Sequence, residues 1–279
     1  MKETSLIKKM YSSSIFGVAF ILLIMCIVMG LITDSFFTQS NIISVVRQFS
    51  FISIIAIGQC MVIISGGIDL SVGSIFAFSS VISVMSLAAG FPLALALLIG
   101  IACGMIIGLI NGLFITKVNL PPFIATLGMM SVARGLSYAV TAGFPINIKS
   151  TAYAFIGQGH ILGIPVPILL LIVIDVFTSI FLTKTVVGRQ IYALGGNEEA
   201  AKVSGVNINK VKLIVYVYCG ALAAIAGIAT ASRLGVAQST AGMGYELDAV
   251  AAVIIGGASV KGGTGRVSGT VIGASIMGS

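Results

Sequence analysis

Side chains able to do chemistry are scarce in this chain, and their spacing excludes whole classes of reaction. His160 is the single histidine, and Cys26, Cys60, Cys103 and Cys219 stand one at a time in apolar runs, so no zinc-ligand spacing and no paired-thiol motif can be drawn from them. Buried structural thiols are the expectation. The glycine-rich run KGGTGRVSG at 261–269 has the composition of a phosphate loop without its order, G-x-x-x-x-G-K-[ST], and follows no strand pattern. Gly262, Gly263 and Gly265 are therefore expected to make a tight turn. A clustered His, Asp or Glu constellation of the kind a membrane enzyme needs is missing from the inventory.

The remaining candidates are polar groups inside apolar segments. Met130, Arg134, Ser137, Tyr138 and Thr141 recur at helical spacing, so one face of a membrane helix is polar and must point into a bundle, away from lipid. Hydroxyls and an aromatic ring on such a face have the chemistry to line a polar path. Counted at about 1.5 Å per residue, Arg134 lies about 14 Å below the outer end of its segment and Asp175 about 15 Å into the next, antiparallel one. A structural ion pair is expected, with a solute contact for Arg134 as the alternative. Asp69 falls where two apolar segments join, and can cap the second helix. Glu246 and Asp248 open a later segment, where a helix dipole favours carboxylates and where a docking protein with basic groups could meet them.

These groups need membrane helices to position them. Of 279 residues 58% are hydrophobic and 8% charged, against about 25% charged in soluble domains. About 20 apolar residues cross the hydrocarbon, and that ruler places spans near 15–32, 42–64, 70–88, 93–115, 121–143, 165–183, 213–233 and 246–258, with a ninth from Val267. The fold class is thus an all-α polytopic membrane bundle, one transmembrane domain over 1–279. The ninth segment reaches only about 20 Å before Ser279, so a longer chain completing it and adding a tenth span is expected. The scattered methionines and phenylalanines read as packing and lipid contact.

Lysine and arginine set the orientation. With a cytoplasmic N-terminus, Lys2, Lys8, Lys9, Lys117, Lys184, Arg189, Lys202, Lys210, Lys212, Lys261 and Arg266 share the inner side, leaving Arg47, Lys149 and Arg233 near the outer one. The net charge of +7 is then a topology signal, with no call for nucleic acid. The loop 184–212 becomes cytoplasmic. In it Asn197 can cap a helix, Glu198 and Glu199 fall in the first turn, and Gly205 can end it. Ala200, Ala201 and Ser204 with Val203 would offer a compact surface to a groove on a partner, rimmed by Glu198, Glu199 and Lys202; a solvated loop helix is the alternative.

Three segments decide between these alternatives: SGGIDLSVGS at 65–74, GRQIYALGGNEEAAKVSGVNINKVK at 188–212, and AGMGYELDAVAAVIIGGASVKGGTGRVSGTVIGA at 241–274. Together they resemble the inner-membrane permease of ribose-type ABC sugar importers, along nearly the whole chain. The resemblance implies an all-helical permease that pairs as a dimer, receives a monosaccharide from an external binding protein, and is driven by ATPase subunits carrying the ATP and Mg. It maps the coupling helix onto Asn197, Glu198, Glu199, Ala200, Ala201 and Gly205, the EAA-x-x-x-G spacing running through Glu199, Ala200, Ala201 and Gly205, and through the GGIDLS motif it implies a place lining an inner gate for Asp69, the alternative to a helix cap. It implies a multi-pass protein of the bacterial cytoplasmic membrane, embedded in lipid, with no cofactor of its own. An ion-coupled secondary transporter is the alternative, and the broken spans with paired acidic residues that such transporters use are not evident in the sequence.

Overall fold

The structure, a computed structural model, describes residues 14–278. The expected N-terminal anchors of orientation, Lys2, Lys8 and Lys9, lie outside the described residues. Helices run in the order α1 (Ser14–Ile32), α2 (Gln39–Ile64), α3 (Val72–Ala88), α4 (Leu93–Lys117) and α5 (Pro122–Thr141). After the short strand β1 (Ile146–Asn147) come α6 (Thr151–Gln158), β2 (His160–Ile161), β3 (Ile164–Pro165), α7 (Val166–Lys184), α8 (Val186–Gly196) and α9 (Glu198–Val203). The chain finishes with α10 (Ile208–Leu234), β4 (Val236–Ala237), α11 (Tyr245–Ile255) and α12 (Val267–Met277). The two small ladders, β1 with β4 and β2 with β3, belong to the loops.

Among the described residues, α2, α4, α5, α7 and α10 are long and apolar enough to cross a membrane. They differ in what surrounds them. Every residue from Ser50 to Ile64 of α2 is buried, as a helix apolar on all sides requires, whereas α7 exposes Ile172, Val173, Val176, Phe177 and Ile180, an outward stripe suited to lipid. The contact of α4 with α10 depends on glycine: a Cβ at Gly104 would run into the Gly220 carbonyl, one at Gly220 into the Gly104 carbonyl, and one at Gly108 into Tyr216. Spaced four residues apart, these glycines let the two backbones meet directly.

Two of the expected spans are shorter than expected, while α12, expected to fall short of a span, has 11 residues. α3 has 17 residues and α11 has 11, so α11 reaches only about 16 Å, half of the roughly 30 Å of hydrocarbon. Its apolar run ends at Gly257, whose φ of 90° closes the helix. The basic residues separate by end as expected: Lys117 closes α4 and Lys184 closes α7, and the α8–α9 loop joins them on what is here called the basic end. Arg47 lies at the opposite end, where its Nη2 donates to the Gln158 carbonyl at 3.1 Å and sits 2.9 Å from the His160 ring. Of the four free cysteines, Cys60 and Cys219 are buried and Cys26 and Cys103 only partly so.

Candidate functional site

Two non-helical segments enter the bundle from opposite ends and touch. The first, 65–71, leaves α2 at the basic end and turns back inward to start α3. Ser71 meets Asn111 of α4, whose Nδ2 donates to Ser71 Oγ at 2.8 Å; Asn111 lies six residues before Lys117, about 9 Å inside that end. The second, 235–244, descends from the far end of α10 to start α11. Gly242 packs on Gly73 and on the Phe76 ring, and Phe76 in turn lies against Gly227. Since Gly227 is seven residues before Leu234, the contact lies about 10 Å inside the opposite end. The N-termini of α3 and α11 therefore meet near mid-depth, each helix running from there to one end.

Irregular backbone at such depth is tolerated only when neighbours satisfy its N–H and C=O groups. For 65–71 the neighbours are Gln59 and Thr126. With its amide turned to suit, Gln59 accepts from the Asp69 N–H at 3.1 Å and donates to the Asp69 carbonyl at 3.2 Å. Thr126 Oγ1 accepts from Leu70 N at 3.1 Å and donates to the Ile68 carbonyl at 3.3 Å. Asp69 is fully buried, and its Oδ1 accepts from Ser71 N at 2.8 Å and Ser71 Oγ at 2.6 Å. Asp69 thus holds Ser71, the residue at the N-cap of α3, without itself bonding an N–H of the helix's first turn, and its Oδ2 has no hydrogen-bond partner.

For 235–244 the neighbours are the polar face of α5. Arg134 Nη1 donates to the carbonyls of Ser239 and Ala241, Thr141 Oγ1 bonds Ser239 Oγ at 2.7 Å, and Ser239 Oγ donates to the Ser137 carbonyl at 3.4 Å. Ser137 and Thr141 are buried as the spacing required, while Tyr138 is 41% exposed. The ion pair expected between Arg134 and Asp175 is not formed; Asp175 Oδ1 is buried without a partner. Equal depth along two helices placed neither side chain toward the other, and the carbonyls of 239–241 took the guanidinium. Glu246 Oε1 accepts from Gly244 N at 3.2 Å, which sets Glu246 in the first turn of α11 at mid-depth and not at an outer surface. The broken spans absent from the sequence reading are thus present.

The cytoplasmic-loop candidates lie at the basic end. Asn197 Oδ1 accepts from Ala200 N at 2.9 Å, α9 runs over six residues, and Gly205 ends it at φ 83°. Two expected surface roles change. Ala201 is 4% exposed and faces inward, while Val203 at 88% takes the outer position; Glu198 is held by Lys212 at 2.8 Å, leaving Glu199 and Lys202 at the rim. Just before this helix, Gly195 packs on the Ile64 carbonyl and on Gly263, and Gly262 packs on Gly195 and Gly66. Gly263 N donates to the Ile64 carbonyl at 2.9 Å. Tyr192 Oη donates to the Gly265 carbonyl at 2.9 Å, and burial pushes the pKa of this phenol up, which keeps it a donor. The glycines 262, 263 and 265, expected as a plain turn, form a junction with the foot of α2 and the root of α9.

Sequence reading missed Gln59, Asn111 and Thr126 as supports, although each interrupts an apolar run. It also missed the joining of the glycine pairs at 66–67, 195–196 and 262–263, which no local spacing reports. A polar cavity of about 320 Å³ at the basic end lies among Gly66, Gly67, Asn197, Lys212 and Tyr216. A second, of about 160 Å³, opens on the other side of the Gly73–Gly242 contact. Among the described residues no group of His, Cys, Asp and Glu could hold a metal ion.

The two cavities thus lie on either side of the Gly73–Gly242 contact. Residues 41–279 match the family described as the permease component of the branched-chain amino acid transport system. The ribose import permease protein of Haemophilus influenzae is 43% identical over 261 residues, covering 92% of this chain and 81% of that protein. That of Bacillus subtilis is 45% identical over 259 residues, covering 92% and 80%, and the D-allose transport system permease protein of Escherichia coli is 36% identical over 265 residues, covering 94% and 81%. No solved structure matches. With most of its length matched, the chain belongs to this family of transport-system permease components.

Proposed function

We propose that this chain is the membrane-spanning subunit of an ATP-driven importer and that its substrate is ribose. The observation that carries the reading is the 41–45% identity to ribose import permease proteins over 92% of the chain. Such a subunit is a transport component and not an enzyme: ATP and Mg act on a separate ATPase, and an extracytoplasmic binding protein delivers the sugar. Two copies pair in the lipid of the inner membrane, forming a homodimer. The excess of lysine and arginine at the basic end supports placing that end in the cytoplasm, where α9 offers Glu199, Ala200, Lys202 and Val203 to the ATPase as a coupling helix.

In this reading the path runs from the cavity at the outer end, past the contact of Gly73 with Gly242, to the cavity beside Lys212. Asp69 holds the inner segment in shape, and Arg134, Ser137 and Thr141 hold the outer one; they position the barrier and do not themselves bind sugar. A secondary transporter would need no partner chains. Proteoliposomes carrying the permease with its ATPase and binding protein should import labelled ribose only when ATP is supplied on the α9 side, and ribose entry through the permease alone would refute the assignment.

A further inference from the structure

A carboxylate stands at the contact of the two helix N-termini. Glu246, in the first turn of α11, turns its side chain across that contact: Oε1 accepts from Gly244 N at 3.2 Å, while Oε2 lies over Gly73, where a Cβ would run into it and into the Gly242 carbonyl. Gly73 is the second residue of α3. Oε2 is buried and has no hydrogen-bond partner. Such an oxygen is costly unless positive charge surrounds it.

Three sources of positive charge converge there. The N-terminus of a helix carries about half an elementary charge, and α3 and α11 both begin at this contact. In α3 the N–H groups of Ser74 and Ile75 bond the Ser71 carbonyl, whereas those of Val72 and Gly73 come before the acceptors of their own helix. The third source is the Arg134 guanidinium of α5, which is close enough to feel the Glu246 charge while its Nη1 is held by the carbonyls of Ser239 and Ala241. Two helix N-termini facing one another repel, and Arg134 adds to the repulsion. Asp69 offsets part of it on the α3 side, through Ser71, and Asp248, in the same turn as Glu246, acts on Tyr245. Glu246 is the carboxylate that reaches from one helix to the other.

We propose that Glu246 is a positioning residue for transport: its charge holds the N-termini of α3 and α11 together and keeps the barrier shut until the coupling helix is driven. The inference rests on the importer reading for what drives the opening, and on the geometry of the contact for the clasp itself. Attraction between a carboxylate and helix ends is strong in a dry, low-dielectric contact and weak once water enters. A clasp of this kind therefore closes firmly and, when pulled apart, is hydrated in both halves at little cost. An apolar plug would resist wetting and would have to be forced open. Glycine at 73 belongs to the same arrangement, since any side chain there displaces the Gly242 carbonyl and the Glu246 carboxylate together.

Charge and packing can be separated with two variants. Glu246→Gln keeps the length of the side chain and an oxygen for Gly244 N but removes the charge; Glu246→Asp keeps the charge and loses a methylene. Proteoliposomes carrying the complete permease and ATPase assembly, loaded with D-ribose and erythritol and given no ATP, should retain both solutes when the chain is wild type. With Glu246→Gln both should escape about tenfold faster, as about 1.4 kcal/mol of closing free energy is lost, and with ATP and binding protein this variant should spend more ATP per ribose imported. Glu246→Asp should return the leak toward the wild-type rate. A tight Glu246→Gln, or a Glu246→Asp as leaky as Glu246→Gln, overturns the clasp. Erythritol escape reports the barrier whatever the transported solute is, so absence of ATP-driven ribose import by the wild-type assembly overturns the importer reading alone.

Discussion

Arg134 shows how backbone carbonyls, without a direct ion pair, can hold a charged side chain inside a bundle. Its guanidinium closes on the carbonyls of Ser239 and Ala241, groups that would otherwise stand unpaired where the chain is neither helix nor strand. Arg134→Ala should therefore lower stability by about 1–3 kcal/mol for each carbonyl left bare, read as a drop in the thermal midpoint. Because Asp175 is not its partner, Arg134→Ala and Asp175→Asn should add independently to within about 0.5 kcal/mol, and a larger coupling in the double variant would restore the ion pair. Asp69 yields a second contrast. Asn at this position keeps an oxygen for Ser71 N and Ser71 Oγ, so Asp69→Ala should cost about 1–3 kcal/mol and Asp69→Asn clearly less; equal losses would mean that the charge, and not the hydrogen bonds, holds the turn. The polar face of α5 was legible from spacing, because hydroxyls every three or four residues cannot face lipid. What it faced was not, since 235–244 reads as an ordinary loop until its depth is known.

At the scale of elements, α9 is short, capped by Asn197 and attached through Gly195 and Gly196 to the foot of α2 and to the 258–266 loop. Force applied to α9 thus reaches Ile64, at the root of the first unwound segment, and Gly263, at the end of the loop leaving α11. Gly195→Val should uncouple the parts: its side chain has no room against the Ile64 carbonyl, and ATP-driven uptake should fall at least tenfold with insertion preserved. Wild-type uptake by this variant would show that the junction transmits nothing. On the exposed side of α9, Glu199→Lys should abolish uptake while leaving the amount of membrane protein unchanged, because it reverses a charge at the proposed docking rim without touching a buried contact. The N-cap and the terminating glycine of α9 were both readable locally. The junction was not, because it joins residues near 65, 195 and 263, and a glycine pair alone announces a turn.

At the scale of the molecule, apolar content and the distribution of lysine and arginine were enough to establish a polytopic helical bundle. They misjudged α3 and α11 as full spans, since hydropathy measures how apolar a run is and not where in the bilayer it begins. The runs at 70–88 and 246–258 qualify by composition, yet α3 and α11 start near mid-depth, supported by Gln59, Asn111 and Thr126 on one side and by Arg134, Ser137 and Thr141 on the other. The central claim is that the path is barred where these two half-helices meet. Its most direct test is the depth of Met243, next to Gly242. With Cys26, Cys60, Cys103 and Cys219 replaced, nitroxides at Met243 and Leu234, which are 65% and 60% exposed, can be ranged against a lanthanide held at the outer headgroups, a readout of distance whether or not water reaches the label. The account predicts that Met243 lies about 10 Å deeper than Leu234, the rise of the seven residues from Leu234 to Gly227. Equal depths for the two labels, with Met243 at the outer surface, would mean that α11 begins there as an ordinary span, and would contradict the broken-helix barrier.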